Sequence, residues 1–249
     1  MTDSKSPEAE PRALLGGTFD PVHYGHLRCA DEARTRLGLN KLYLLPAGNP
    51  PHRGMPQATV RQRLDMLQLA RREFPQLEID DRETRRSGPS YMFDTLRELR
   101  SSLGHSPLVL LIGQDAANQL HTWYKWERLF ELCHIVILTR PDTPASYTSA
   151  LAERVQPRLV SGVNELFETE AGAVFHLEVE PIDISASGIK QIIRSGDSPS
   201  SMLPEAVLQY IIENRLYSVS RNKSGLRLYF TRPAVTVKIV STIQRHLII

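Results

Sequence analysis

The chain has 249 residues, 41% of them hydrophobic, with 30 Lys or Arg against 28 Asp or Glu. That length and apolar content suit one α/β domain with a full buried core, and the absence of an uninterrupted apolar run of about eighteen residues argues against a helical membrane span. Residues 218–249 hold six Lys or Arg and no acid, so the rest has 24 basic residues against 28 acidic ones. The body is mildly acidic and lacks a basic stripe interleaved with aromatics, so nucleic acid is not an expected partner.

Residues 1–11 are polar, contain no signal-peptide core and read as a solvated tail. Cys29 and Cys133 stand far apart in apolar patterns. Buried thiols in a reducing cytoplasm fit them better than a disulfide or a metal site. Ala13-Leu14-Leu15 reads as a strand, and Leu27, Ala30, Ala33 and Leu37 follow at helical spacing. Between them lies Gly16-Gly17-Thr18-Phe19-Asp20-Pro21-Val22-His23-Tyr24-Gly25-His26. The glycine pair predicts a tight loop that lets the backbone approach a ligand, and the helix start behind it favours an anion. His23 and His26, three apart, share one face of that first turn. A zinc pair on a helix needs His-x-x-x-His with a glutamate beside it, and neither is present. Hydrogen bonding to phosphate oxygens is the reading that fits.

Lys41–Pro46 predicts a second strand, which makes strand-helix-strand and a parallel sheet. The loop Ala47-Gly48-Asn49-Pro50-Pro51-His52-Arg53 closes it. Thr59 and Gln62 have capping-box spacing before a helix expected to run to about Phe74. Leu77–Ile79 is a short strand, and Arg85–Tyr91 is a loop in which Ser90 reads as the cap of the next helix. Leu108–Ile112 has the continuous apolar character of a central parallel strand. Gly113-Gln114-Asp115 follows at its carboxyl end, where Asp115 can accept hydrogen bonds from ribose. His134–Thr139 and Val174–Val179 complete the strands, with irregular structure expected over 142–172. In Ile184-Ser185-Ala186-Ser187-Gly188-Ile189-Lys190, Ser185 or Ser187 can cap a helix whose N-terminus points at phosphate. Pro204-Glu205 opens a last helix that ends near Tyr217, and alternation within 226–239 allows a hairpin.

The first of these segments resembles the Gly-Gly-x-Phe-Asp-Pro-x-His-x-Gly-His signature of the nucleotidyltransferase superfamily with His-x-Gly-His motifs, and in particular the bacterial nicotinate-mononucleotide adenylyltransferases. The resemblance spans residues 12 to 217 and implies a doubly wound, mostly parallel, Rossmann-like α/β fold. It implies transfer of the adenylyl group of ATP to nicotinate mononucleotide, giving deamido-NAD and pyrophosphate in NAD biosynthesis. By the same resemblance His23, His26 and Lys190 are catalytic. Gly16, Gly17, Thr18, Phe19, Gly113, Asp115, Ile184, Ser185 and Ser187 bind the nucleotide, and Arg53, Ser90, Tyr91, Trp123 and Tyr124 face the acceptor. Mg²⁺ is expected on the ATP phosphates, with no dedicated protein metal site. The chain departs from the family pattern at Met92 and Ser187, where threonine is usual, and at Lys190, where arginine is usual. Lys190 keeps the charge and loses the bidentate fork. Pantetheine-phosphate adenylyltransferase and a non-catalytic nucleotide-binding protein are the alternatives. Residues 218–249 match no family motif, and the sequence gives no expectation of oligomeric state.

Overall fold

A computed structural model describes residues 10–50, 54–139 and 143–218. Expectations for Arg53, for Arg140-Pro141, for residues 1–9 and for the hairpin within 226–239 lie outside the described residues. The strands β1 (Arg12–Gly17), β2 (Leu42–Pro46), β3 (Leu77–Ile79), β4 (Leu108–Gly113), β5 (His134–Thr139) and β6 (Val174–Glu178) form one parallel sheet. Their order is β3-β2-β1-β4-β5-β6. The order reverses between β1 and β4, and a crevice for ligands opens at the carboxyl ends of strands at such a point.

Period-two alternation places core on both faces of the sheet. Ala13, Leu15, Leu42, Leu44, Val109, Leu111, Val136 and Leu138 point to one side. There they meet α1 (Tyr24–Arg36), α2 (Val60–Ala70), α8 (Ala186–Ser195) and α9 (Glu205–Glu213). Leu14, Leu108, Leu110, Ile112, Ile135 and Ile137 point to the other. That side is covered by α3 (Met92–Leu103), α4 (Gln114–Asn118), α5 (Leu129–Leu132) and α6 (Ser149–Val155). The short α7 (Val163–Leu166) precedes β6. Each fully buried Leu or Ile here contributes about 1.5–3 kcal/mol from area removed from water. Cys29 and Cys133 are buried, as expected, and burial pushes the Cys133 thiol up to about 12.

Three local expectations are corrected. Gly16 and Gly17 belong to the end of β1, paired with Leu45 and Pro46, rather than to a loop. The need for glycine is steric at Gly17, where an added Cβ would lie 2.8 Å from the buried Phe19 ring; at Gly16 it would lie 3.1 Å from Met92 Cε, a tight contact with the flexible end of a side chain. The helix from residue 60 stops at Ala70, before Phe74, because a turn through Arg71–Phe74 leads into β3. Tyr91, not Ser90, occupies the N-cap position of α3, and the Ser90 side chain turns to the neighbouring loop instead. The capping box on α2 is present, with Gln62 N–H donating to Thr59 Oγ1 at 3.3 Å and Thr59 N–H donating to Gln62 Oε1 at 2.9 Å. This fixes where α2 begins, and the position of its first turn matters below.

Candidate active site

Gly17 ends β1 and Gly113 ends β4, so both flank the crevice at the reversal of strand order. Between β1 and α1 the chain turns through Phe19, at a left-handed φ of 51°, and a cis Asp20-Pro21 bond. Phe19 is buried, and its ring meets His26 edge-on at 5.0 Å. His23 stands at the N-cap of α1 with extended backbone, and its ring stacks on His26 with centroids 3.8 Å apart. The two imidazoles expected to share a face do so. No side chain caps α1 and its first turn holds no acid. Tyr24 N–H, first in the helix, donates to the Met202 carbonyl at 2.9 Å, and the positive end of the dipole favours an anion beside it.

Gly25 brings the last motif to the first. An added Cβ there would lie 2.9 Å from His23 Nδ1 and 3.1 Å from the carbonyl oxygen of Ile184, so only glycine lets α1 pack this close to the entry of α8. Ser185, rather than Ser187, caps α8 by accepting from Gly188 N–H at 3.1 Å, and Ser187 stands exposed in the first turn. Lys190, one turn further on, reaches back and donates to Asp20 Oδ2 at 2.5 Å.

Asp20 is 5% exposed and accepts from four directions. Gln57 N–H and Ala58 N–H each donate at 3.0 Å, Tyr217 O–H donates at 2.8 Å, and Lys190 supplies the charge. Burial opposes ionisation of this carboxyl, yet the donors, led by Lys190 and Tyr217, outweigh it and hold the group below the usual carboxylate range. Burial and the negative charge of Asp20 push the Tyr217 phenol upward, so it stays a donor. The ammonium of Lys190 also lies 5.1 Å from the centre of the Tyr217 ring.

Beside this centre, Arg63 on α2 is 1% exposed. One of its terminal nitrogens donates to the Thr18 carbonyl at 2.8 Å and the other to the Gly48 carbonyl at 3.2 Å. Ser90 grips the same second loop. Its hydroxyl accepts from Gly48 N–H and Asn49 N–H, each at 3.1 Å, and its own N–H donates to Asn49 O at 2.9 Å. Below it Glu83 is buried and accepts from Thr95 Oγ1 at 2.6 Å. Burial pushes the Glu83 carboxyl up against the opposing influence of Thr95, Arg86 and Ser90.

Tyr91 and Tyr124 face each other with ring centres 4.6 Å apart, and Tyr124 is 42% exposed. Trp123 is half-buried against the α3 side of the core. Asp115 lies exposed in the first turn of α4, directly after Gly113. Thus the structure brings Gly17, Phe19, His23, His26, Ile184, Ser185 and Lys190 together, with Asp115 beyond β4 and the Ser90, Tyr91 and Tyr124 group on α3 and its neighbours. Among the described residues no cluster of three or more His, Cys, Asp or Glu side chains could hold a metal ion.

Sequence reasoning passed over Asp20, Arg63, Glu83 and Tyr217. For Arg63 a signal existed: with Met66, Leu67 and Ala70 it forms the buried stripe of α2 at helical spacing. An arginine on an apolar face has carbonyl or carboxylate partners to find.

A fold of six parallel strands with nucleotide-type motifs at the reversal point defines a nucleotidyltransferase-like protein, and the sequence profile of the cytidylyltransferase-like family matches residues 14–192. Two relatives, from Halorhodospira halophila and Methylococcus capsulatus, are each named as a probable nicotinate-nucleotide adenylyltransferase. Both are 43% identical to this chain over 82% of its length, covering 94% and 98% of their own. The chain therefore belongs to the cytidylyltransferase-like family and, within it, to the nicotinate-nucleotide adenylyltransferases. A Plasmodium falciparum nicotinic acid mononucleotide adenylyltransferase complexed with NaAD superposes with a TM-score of 0.66, covering 84% of this chain and 97% of that one. At 14% identity this likeness concerns the fold alone.

The geometry around Asp20 sets a pH dependence. Its folded pKa lies below the ordinary value of 3.8, so its stabilising contribution is complete above that value and is lost as pH falls through the folded pKa. Asp20→Asn strands Lys190 beside a neutral amide, and the expected loss is about 3 kcal/mol at pH 7. Denaturant titrations should show the gap between variant and wild type narrowing below about pH 4. A gap that stays constant down to pH 2 would mean that the charge of Asp20 carries none of this stability.

Proposed function

We infer that the protein joins ATP and nicotinate mononucleotide to give deamido-NAD and pyrophosphate. The observation that carries this reading is the stacked His23 and His26 pair at the N-terminus of α1, with Lys190 of α8 held against the same loop. The 5′-phosphate oxygen of the mononucleotide attacks the α-phosphorus of ATP. A new P–O bond forms, the bond from the α-phosphorus to the bridging oxygen breaks, and pyrophosphate leaves with the electron pair. The acceptor phosphate is itself a nucleophile, so no serine, cysteine or lysine of the chain needs to be adenylylated. What the protein supplies is position and charge.

His23 and His26 donate hydrogen bonds to phosphate oxygens, and the dipole of α1 acts in the same direction. Lys190 stands as a point charge whose direction Asp20 and Tyr217 hold, and this positioning offsets the absence of a guanidinium fork. Gly16, Gly17, Thr18 and Phe19 leave room for the nucleotide, Asp115 accepts from ribose, and the first turn of α8 with Ile184, Ser185 and Ser187 faces the phosphates. Nucleotidyl transfer of this type generally depends on a divalent metal. Imidazole and ammonium groups suit phosphate rather than Mg²⁺, which prefers oxygen ligands, so Mg²⁺ accompanies the phosphates of ATP as part of the substrate. No described helix is long and apolar enough to cross a membrane, and we place the reaction in the cytoplasm. Residues 218–249 lie beyond the family's motifs and have no part in this chemistry.

On the acceptor side, Tyr91 and Tyr124 offer ring faces for the pyridine, with Trp123 beside them. Arg53 contributes charge toward the acceptor phosphate. The N-terminus of α3 has no side-chain cap, so its N–H groups can donate to a carboxylate, against the opposing charge of Asp94 in the same turn. The neutral amide of nicotinamide would set its own donors against them.

Two outcomes are expected in assays of pyrophosphate release. His23→Ala and His26→Ala each lower kcat about a hundredfold, with a far smaller change in KM for ATP, because each donor acts mainly on charge developing in the transition state. Wild-type turnover in either variant removes that role. With ATP fixed, kcat/KM for nicotinate mononucleotide exceeds that for nicotinamide mononucleotide by at least about a hundredfold, or ~2.7 kcal/mol. Equal values would make the enzyme dual-specific. Turnover with phosphopantetheine alone would favour the pantetheine-phosphate enzyme, and turnover with none a binding protein.

A further inference from the structure

The two substrates of the proposed reaction sit on different loops: ATP on the segment after β1, the acceptor on the segment after β2. In-line attack needs these loops at a fixed separation, and among the described residues the two segments are joined near the strands by Ala47 N–H donating to Gly17 O and at their far ends by Gln57 and Ala58 N–H donating to Asp20, which leaves the stretch between, at Thr18 and Gly48, without a backbone link. Arg63 supplies what the sheet does not. It enters from α2, is 1% exposed, and forks between Thr18 O on the first loop and Gly48 O on the second. We propose that Arg63 is a positioning residue that sets the spacing of the ATP loop and the acceptor loop, so that substrates bound separately meet in line. The inference rests on the adenylyltransferase reading.

Several features make this more than a packed arginine. Burying a guanidinium is costly, and an apolar residue of similar volume would fill the stripe with Met66 and Ala70 at less expense. Its two donors go to carbonyls on two different segments, not to a neighbouring turn. The Gly48 loop is gripped from the opposite side by Ser90, so its position is set from both flanks. At Gly48 itself an added Cβ would come within 2.3 Å of the Glu83 carbonyl oxygen, so only glycine lets the loop lie this close to the Arg82–Arg85 turn. The fork is planar and spans two acceptors; an ammonium at the same place reaches one.

The test is Arg63→Lys, with Arg63→Gln as the second variant. An ATP analogue that cannot react and nicotinate mononucleotide, titrated separately, should bind each variant within about threefold of wild type, because each loop survives on its own. Deamido-NAD spans both loops, and its affinity should fall at least about tenfold, since a ligand with two linked halves registers their separation. The kcat should fall about a hundredfold, the effect of a misplacement on the order of 1 Å. A variant that melts cooperatively yet matches wild type in dinucleotide affinity and kcat overturns the inference, as does a parallel loss of all three affinities with Tm, which would mark Arg63 as a support of the fold alone. In the wild type, where no variant has to fold, NMR couplings across the hydrogen bonds from Arg63 to the Thr18 and Gly48 carbonyls should persist with either or both substrates bound. Loss of either coupling on binding overturns the inference. A wild type inert with pyridine mononucleotides contradicts the reading beneath it instead, so the two failures are distinguishable.

Discussion

The carboxylate of Asp20 is the point on which the site depends. It accepts from backbone N–H groups just before α2, from the ammonium of α8 and from the phenol that follows α9. Three separate stretches of chain thus meet on one buried charge at the β1 end. An isolated carboxylate at 5% exposure would carry a large desolvation cost. Four donors convert that cost into a constraint: ionised Asp20 is tolerable when its donors are in place, so the fold that satisfies it also brings α1, α8 and the first loop together at the site proposed for the phosphates.

Arg63 works alongside this anion without pairing to it directly. Burial pushes its guanidinium below the usual value and the nearby charge of Asp20 opposes that shift, while its hydrogen bonds go to carbonyls on the two loops. A buried anion therefore fixes α8, Tyr217 and the far end of the second loop to the first loop, and a buried cation joins the two loops at Thr18 and Gly48. His23 and His26 stack through their positions at the start of α1, and Gly25 between them allows α8 to approach. Substrate-binding side chains can then be few, since the backbone around them is already held.

The strands were legible in the sequence because hydrophobic pattern reports burial on a sheet, and both faces here are covered. Leu108–Ile112 reads as a central strand and is central, and His134–Thr139 reads as a strand and is buried on both faces. The phosphate loop was legible for a different reason: its residue types are unusual together, and few other chemistries demand Gly-Gly, Asp-Pro and two histidines in eleven residues. What escaped were partnerships between distant residues. Nothing local distinguishes Tyr217, 197 positions from Asp20, from any aromatic closing a helix. Ser90 read as a cap since serine before a helix usually is one; the loop at Gly48 lies some forty residues away, and its claim on that hydroxyl is a tertiary fact. The end of β1 reads as a loop because glycine signals turns, whereas here the Phe19 ring crowds the strand at Gly17 and excludes a side chain.

The central claim is that this protein catalyses by position and charge, with the acceptor phosphate striking the α-phosphorus once. Direct evidence comes from stereochemistry. A single diastereomer of ATP bearing sulfur on the α-phosphorus is turned over with nicotinate mononucleotide, and the configuration at that phosphorus is determined in the dinucleotide product. One in-line displacement inverts it. Retention would require two displacements through an adenylylated side chain and would contradict the account.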